Sequence, residues 1–260
     1  MDSFADHVFG GGPAGVLFTD EWLSETEMQS TAMENDLADT AFVVRRADGD
    51  CDLRWFMPKG EIDLNDYATL AAGYCLMEHL EPSREEVVFH TKSGPISVRK
   101  ADDWLEMELP AVTVRPARIT DEIAAALGRR PAELWFGENY LAVYETAGEV
   151  RDLRPDFRAM EKLEHGSGVF VTAPGDSSCD IVDRAFWPKM GVEEDPVCGN
   201  MHCNLAPYWT ARMGKTSFLS HQLSPRGAEI LCGVREDRVW LRGKASLFLS
   251  GTIYLPETTE

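Results

Sequence analysis

The sequence predicts an α+β fold of two similar halves, each a curved antiparallel β-sheet around one central helix. Strand-like segments outnumber helical ones in the 260 residues. Each half contains one long, largely apolar helix, predicted at 68–80 and 201–213. A strand–loop–helix unit also occurs twice in the same order. We therefore assign residues 1–114 to an N-terminal half and residues 115–260 to a C-terminal half.

The repeated unit is marked by matched residues around each long helix. Cys179 follows Cys51 by 128 residues, and Asp195 follows Asp63 by 132, which is about half the chain. Two unrelated strand–loop–helix units could share such features by coincidence. Several matched features in one order favour duplication, and a ligand site between like domains is its usual consequence.

The first half opens with an apolar strand pattern at 3–18, which a cluster of glycines interrupts. Ser24 and Glu27 form a capping box for a helix that reaches about Asn35. The remaining predicted elements of this half are strands at 41–45 and 52–57, a loop at 58–65, the helix at 68–80, and three strands within 86–110.

The second half begins with a helix that Thr120 caps and Gly128 ends. Its other predicted elements are one or two strands in 135–146, a short helix from Pro155, a strand at 168–172, the helix at 201–213, and strands near 217–223, 229–235, 238–243 and 246–255.

Composition excludes several classes of function. The chain has 25 Lys and Arg against 44 Asp and Glu, and this net charge of −19 argues against general binding to nucleic acid or anionic membranes. The sequence contains no run of eighteen apolar residues, so we expect no membrane span. The N-terminus lacks the basic and apolar regions of a signal peptide, so we expect a cytoplasmic protein.

The six cysteines include no Cys-x-x-Cys pair, so we expect reduced thiols. Cys198, His202 and Cys203 are close in sequence, and a metal site there is an alternative. Their spacing matches no standard zinc pattern, and we predict no metal. His202 is interpreted as a core or cleft histidine.

The stretch 193–209 is the strongest candidate for a binding site. Asp195 precedes a proline and Gly199 permits a tight turn, so a loop delivers backbone N–H groups to a helix N-terminus. Such an end suits a carboxylate or a phosphate. The same field would lower the pKa of the Cys198 thiol. The competing interpretation of Cys198 is a small buried packing residue.

Four motifs resemble the PhzF-like phenazine biosynthesis family, in register over nearly the whole chain. They are Phe9-Gly10-Gly11-Gly12-Pro13-Ala14, Glu34-Asn35-Asp36-Leu37-Ala38-Asp39-Thr40-Ala41-Phe42, Trp55-Phe56-Met57-Pro58 and Glu194-Asp195-Pro196-Val197-Cys198-Gly199-Asn200. The resemblance implies the architecture of diaminopimelate epimerase, with two pseudo-symmetric, β-barrel-like halves. It also implies an active site between the halves, no metal or organic cofactor, and a homodimer.

The resemblance assigns chemistry to particular positions. Asp39 matches the glutamate with which the family takes a proton from carbon and returns it elsewhere, although an aspartate is shorter by one methylene. Asp195 matches the family's aspartate before proline, and Gly199-Asn200 matches its Gly-Ser turn. Asn65-Asp66-Tyr67 departs from the family's Cys-Gly-His or Ala-Gly-His, and we expect Asp66 to be able to cap the helix that follows.

These observations favour an isomerase that moves a carbon-bound proton on a small carboxylated substrate. The candidate catalytic residues are Asp39, Asp195 and Cys198; the candidate substrate-binding residues are Tyr67, Gly199, Asn200 and Met201. Asn65 stands where a second thiol would lie, which disfavours a two-base racemase. The alternative is a non-catalytic binding or interaction protein on the same scaffold.

Overall fold

The computed structural model describes residues 1–255, in which strands outnumber helices. The strands are β1 (Asp2–Ser3), β2 (Gly12–Thr19), β3 (Asp39–Arg45), β4 (Cys51–Met57), β5 (Gly60–Ile62), β6 (Glu86–Thr91), β7 (Gly94–Ala101), β8 (Trp104–Pro110), β9 (Arg115–Pro116), β10 (Glu133–Phe136), β11 (Tyr140–Val143), β12 (Val169–Pro174), β13 (Ile181–Phe186), β14 (Ser217–Gln222), β15 (Ala228–Arg235), β16 (Arg238–Gly243) and β17 (Ala245–Ser246). The α-helices are α1 (Glu25–Asn35), α2 (Asp66–Tyr74), α3 (Asp121–Leu127), α4 (Ala147–Asp152), α5 (Phe157–Met160) and α6 (His202–Met213).

The chain divides into two compact units. The first contains Met1–Leu105 and the segment that begins at Lys244, and the second contains Glu106–Gly243. The segment after Gly243 joins the first unit because β17 pairs with β1. We predicted halves of 1–114 and 115–260 from internal similarity. The two units are defined by contacts within the fold, so these predicted halves stay a prediction.

Each unit contains a mixed sheet with the same succession of strand directions. In the first unit β2 and β3 are parallel, β3 and β4 antiparallel, β4 and β6 parallel, and β6 and β7 antiparallel. In the second unit the pairs β11–β12, β12–β13, β13–β14 and β14–β15 repeat this succession. The sequence had suggested antiparallel sheets. The sheets are in fact mixed, because each contains parallel pairs as well as antiparallel ones. Every parallel pair is joined by a connection that contains at least one helix, because parallel strands cannot be linked by a tight turn.

Helix α2 is the central helix of the first unit. Eight successive residues from Asp66 to Gly73 are buried, and the helix packs on β1, β2, β3, β7 and β17. A helix that is buried on every side must be largely apolar, and this explains its three alanines and Leu70. Compared with the predicted range of 68–80, α2 begins at Asp66, and the last turn, Cys75–Leu80, is π-helical.

Helix α6 occupies the corresponding place in the chain of the second unit and packs on β15 and β16. It begins one residue later than the predicted 201–213. Pro207 lies inside it and has no N–H to donate to the carbonyl of Cys203. The backbone N–H of Val112 donates to that carbonyl instead, at 2.9 Å. The proline thus fixes the connector before β9 onto the helix.

Candidate functional site

Asp39 is the first residue of β3 and lies in the interior of the first unit, with only 4% of its surface exposed. Its Oδ2 atom accepts a hydrogen bond of 2.8 Å from Asn65 Nδ2 and a short one from the Tyr67 hydroxyl. Its Oδ1 atom is buried and has no hydrogen-bond partner among residues 1–255. The two oxygens of one carboxyl group therefore have different surroundings.

Asn65 and Tyr67 reach Asp39 because of how α2 begins. Asn65 is the N-cap, and its Oδ1 atom accepts from the N–H of Ala68 at 2.7 Å, so its Nδ2 group faces Asp39. Asp66 is the first helical residue and not the cap, which corrects the expectation that Asp66 would cap the helix. Asn65 is the cap because it immediately precedes the first helical residue. From that position a side-chain oxygen can reach the N–H of the third helical residue.

The Tyr67 ring lies directly on the backbone of β2. A Cβ atom placed on Gly12 would lie 2.8 Å from two atoms of this ring, so only glycine leaves room for it. The glycine cluster of the sequence thus serves a close approach between a strand and the side chain that donates to Asp39.

Burial raises the pKa of Asp39 from 3.8 to about 7. The hydrogen bond from Tyr67 lowers this pKa, the nearby Asp66 carboxylate raises it, and the hydrogen bond from Asn65 lowers it. A carboxyl group with a pKa near neutrality can both take and return a proton at neutral pH, as acid/base catalysis requires.

Asp195 lies in the second unit, in the loop before α6. Its Oδ1 atom accepts from the N–H of Val197 at 3.2 Å, and its own N–H donates to Ala185 of β13. Gln222 of β14 spans this loop: its Nε2 group donates to the Asp195 carbonyl at 2.8 Å, and its Oε1 atom accepts from the Cys198 N–H at 2.9 Å. One buried side chain, that of Gln222, therefore fixes the loop at Asp195 and at Cys198.

The turn that starts α6 contains Gly199, Asn200 and Met201, and Cys198 precedes it. The N–H of His202 donates to Gly199 at 2.8 Å, and no side chain of the described part of the chain caps the helix. Cys198 is buried, so the competing interpretation as a packing residue stays open beside the catalytic one.

His202 is a core histidine, as we interpreted it. Its Nδ1 atom lies 3.2 Å from the Cys198 carbonyl and its Nε2 atom 3.5 Å from Asp183 Oδ2, with both side chains fully buried. The Ser220 hydroxyl donates to the same Asp183 oxygen. Over residues 1–255, no three His, Cys, Asp or Glu side chains are grouped as a metal ion would need.

The structure thus brings Asp39 and Tyr67 into contact and places the other five candidates in one continuous loop of the second unit. Sequence reasoning missed three polar residues: Asn65 as a donor, Gln222 and Asp183. Asp183 had a usable signal, because it is a charge within the otherwise apolar start of a strand, Ile181-Val182. Nothing local marks Gln222, since its partners lie 24 and 27 residues away.

The fold defines an epimerase-like protein, and Asp39 is its buried carboxyl group with a raised pKa. A family model described as phenazine biosynthesis-like protein matches residues 1–251. An uncharacterized isomerase of Pseudomonas aeruginosa is 43% identical over 98% of this chain and 97% of its own length. The chain belongs to the PhzF-like phenazine biosynthesis family, as its motifs had indicated.

Solved structures agree with this assignment. A PhzF-family protein of Enterococcus faecalis is 41% identical and superposes with a TM-score of 0.95, covering 98% of this chain and 97% of the other. A predicted epimerase of Pseudomonas aeruginosa, 20% identical, matches with a TM-score of 0.70 over 96% of this chain and 98% of its own, which shows the shared fold alone. The predicted diaminopimelate epimerase-like architecture is confirmed, and the protein is classed as an isomerase. Within the described residues, every helix is too short or too polar to span a bilayer.

Proposed function

We propose that this isomerase works without a cofactor and moves a carbon-bound proton on a small carboxylated substrate. Asp39 takes the proton from one carbon, and the electron pair of the broken C–H bond is delocalised into the substrate. The substrate contains a carbon–carbon double bond next to the first carbon; Asp39 returns the proton to the far carbon of that bond, and the double bond moves one position towards the first carbon. No atom is gained or lost and no electron leaves the substrate, so the net reaction is an isomerisation.

The observation that carries this proposal is the state of Asp39. Its carboxyl group is buried, and burial raises its pKa to about 7. An aspartate with an ordinary pKa would be too weak a base to remove a proton from carbon at a useful rate, whereas a raised pKa strengthens the base and keeps the ionised form populated.

The predicted substrate-binding groups of the second unit complete this proposal. In this proposal the N–H groups of Gly199, Asn200 and Met201 bind the substrate carboxylate at the uncapped start of α6. Asp195 orients the substrate, and Tyr67 contacts it beside Asp39. Cys198 is the candidate second acid or base.

A non-catalytic binding protein is the second candidate. It is favoured by the cap on α2: Asn65 occupies the helix N-terminus of the first unit and uses the N–H of Ala68, which an anionic ligand could otherwise bind. This candidate predicts tight binding of a small acid with no turnover.

The test is exchange of substrate C–H hydrogen with heavy water, followed by NMR over a panel of cyclic and acyclic amino and hydroxy acids. The native protein is compared with Asp39→Asn and with Asp36→Asn. Asp36 is exposed and ends α1 in a left-handed conformation that asparagine also adopts, so it is a matched control. Exchange by the native protein and by Asp36→Asn, but not by Asp39→Asn, supports the isomerase. Binding without exchange by any of the three proteins supports the second candidate.

We further propose that the protein is a homodimer whose interface includes apolar side chains of the first unit. Phe9 is 68% exposed, Phe248 is 58% exposed and Leu249 is 70% exposed. The rings of Phe9 and Phe248 lie 5.6 Å apart and form one apolar patch, which is a common mark of an association site. Light scattering should give twice the chain mass, and Phe248→Asp should give the mass of one chain; a native mass of one chain would contradict the proposal.

A further inference from the structure

We propose that Asn65 and Tyr67 are positioning residues for Asp39: they hold its Oδ2 atom, so that Oδ1 takes and returns the substrate proton. This inference rests on the proposed function and specifies the reactive atom. It also gives Tyr67 a role through Asp39, in addition to its proposed contact with the substrate.

The hydrogen bonds distinguish the two oxygens. Oδ2 accepts from Asn65 Nδ2 at 2.8 Å and from the Tyr67 hydroxyl, whereas Oδ1 is buried and has no partner among residues 1–255. An oxygen that accepts two hydrogen bonds is less basic than one that accepts none. The proton of the neutral carboxyl group therefore belongs on Oδ1.

The two donors do not have to move during proton transfer. In the ionised carboxylate, Oδ2 accepts both hydrogen bonds as an anionic oxygen; in the neutral acid it accepts them as a carbonyl oxygen. Both bonds persist in both states, so the group is already oriented when the proton arrives. Such preorganisation lowers the reorganisation that a proton transfer otherwise needs.

Each donor is fixed by a second contact. The amide of Asn65 cannot turn over, because its Oδ1 atom accepts from Ala68 N at 2.7 Å. The ring of Tyr67 is placed by the bare backbone of Gly12. The hydrogen bonds that orient the Asp39 carboxyl group are therefore fixed by β2 and by the first turn of α2.

Two ionisable groups act on Asp39, and both belong to the first turn of α2. Asp66 raises the pKa of Asp39 and the hydrogen bond from Tyr67 lowers it. Removing the Tyr67 hydroxyl must therefore raise the pKa of Asp39, and removing the Asn65 donor must do the same.

The experiment is a carbon-13 NMR titration of the aspartate carboxyl signals in the full-length protein. The Asp39 signal is assigned as the one that Asp39→Asn removes. Tyr67→Phe should raise the pKa of Asp39 by about one unit, as expected for the loss of one hydrogen bond to a charged group. Asn65→Ser, which keeps an N-cap but is too short to reach Asp39, should raise it as well.

The matched control is Tyr140→Phe. Tyr140 is half-buried in β11 and packs edge-on against Phe136, and this ring contact survives the loss of the hydroxyl. It should leave the Asp39 titration unchanged. If both Tyr67→Phe and Asn65→Ser also leave it unchanged while remaining folded by circular dichroism, the proposal is wrong. Should Tyr67→Phe fail to fold, Asn65→Ser alone decides.

Turnover adds a readout that separates this role from substrate contact. With a substrate from the exchange panel, the low-pH limb of the rate profile of Tyr67→Phe should move to higher pH by the same amount as the NMR titration. The fall in kcat should exceed any rise in KM. A change confined to KM would overturn the positioning role. If no acid in the panel exchanges, the proposed function fails, and the NMR titration still tests the arrangement around Asp39.

Discussion

The Asp39 carboxyl group makes the folded state more stable when it is neutral than when it is ionised. Burial first, and Asp66 in addition, raise its pKa from 3.8 to about 7, so the folded protein binds this proton more tightly than the unfolded chain does. The stabilisation is fully present below the unfolded pKa and is lost as the pH rises through the folded pKa. Above neutrality the ionised group opposes folding.

Asp39→Asn should therefore stabilise the protein above neutrality relative to the native chain. At about pH 8 we expect the free energy of unfolding to exceed that of the native protein by up to about 4 kcal/mol, the equivalent of about three pKa units. Denaturant unfolding at several pH values checks this, and the difference should shrink steadily towards about pH 4. A difference that does not depend on pH would contradict a raised pKa.

At this scale the sequence singled out Asp39, whose proposed acid/base role stays a prediction, but not the residues that surround it. Asp39 was found through a motif of consecutive residues. Its donors are 26 and 28 positions away and meet it only because β3 and α2 are adjacent in the fold. Gln222 was missed for the same reason, since an amide that fixes two backbone groups leaves no periodic or local pattern.

At the scale of elements, the contact between β2 and α2 depends on one missing side chain. Gly12→Ala would bring a methyl group to 2.8 Å from the Tyr67 ring. We expect a loss of about 1–3 kcal/mol in the free energy of unfolding from overpacking, together with a raised pKa of Asp39 as the phenol is displaced.

The control for this prediction is Gly148→Ala in α4. The nearest atom to a Cβ there, the Thr146 hydroxyl oxygen, is 3.9 Å away, so alanine should fit and should stabilise the helix slightly. Chemical denaturation compares the two variants. Equal stability of Gly12→Ala and the native protein would show that Tyr67 can move aside without cost.

The loop before α6 is anchored by an ion pair. Arg184 of β13 binds Glu194 through two hydrogen bonds, of 2.7 and 2.9 Å, and also donates to the carbonyls of Val150 and Leu153. Both side chains are largely buried. Removing the Glu194 carboxylate would leave the buried Arg184 guanidinium without a counter-charge. The loss of one partner of a buried ion pair lowers the free energy of unfolding strongly.

We predict that Glu194→Gln lowers the free energy of unfolding by about 3 kcal/mol. Glu193→Gln is the matched control. Glu193 is the neighbour of Glu194 and is exposed, so this substitution should change the free energy of unfolding by less than about 0.5 kcal/mol. Urea unfolding of the two variants decides the matter; similar small losses in both would show that the ion pair contributes little.

Most of the elements could be predicted, and the errors have physical reasons. The capping box at Ser24 and the apolar pattern of α2 were sufficient for two helices. The box formed by Thr146 and Glu149 was overlooked because Thr146 was included in the predicted strand region 135–146, whereas β11 ends at Val143, and α4 was missed with it. The parallel pairs could not be foreseen, since one strand's sequence does not specify its neighbour's direction.

At the scale of the whole molecule, the two units repeat an arrangement of side chains as well as a succession of strands. Arg54 binds Glu61 through two hydrogen bonds, of 2.7 and 2.8 Å, and its guanidinium lies 5.3 Å from the centre of the Phe56 ring. In the second unit, Arg184 likewise binds Glu194 and lies 5.1 Å from the centre of the ring two positions on, that of Phe186. The offsets, 130 between the arginines and 133 between the glutamates, agree with those from which duplication was predicted.

The net charge of −19 predicts a stability that depends on salt. Like charges repel one another more in the compact state than in the unfolded chain, and salt screens this repulsion. Raising sodium chloride from about 0.01 to about 0.3 M at neutral pH should therefore raise Tm. Near the isoelectric point the same addition should have little effect, and an equal rise at both pH values would point to a cause other than net charge.

The pairing of β1 with β17 has a consequence for how the protein is made. Asp2 lies opposite Ser246, so β1 meets this partner only after the whole of the second unit, Glu106–Gly243, has been synthesised. The second unit is one unbroken segment, Glu106–Gly243, and can close as soon as it has emerged. The first unit can therefore complete its sheet only after the second unit has been synthesised, and until then the edge of β1 that pairs with β17 has no strand beside it.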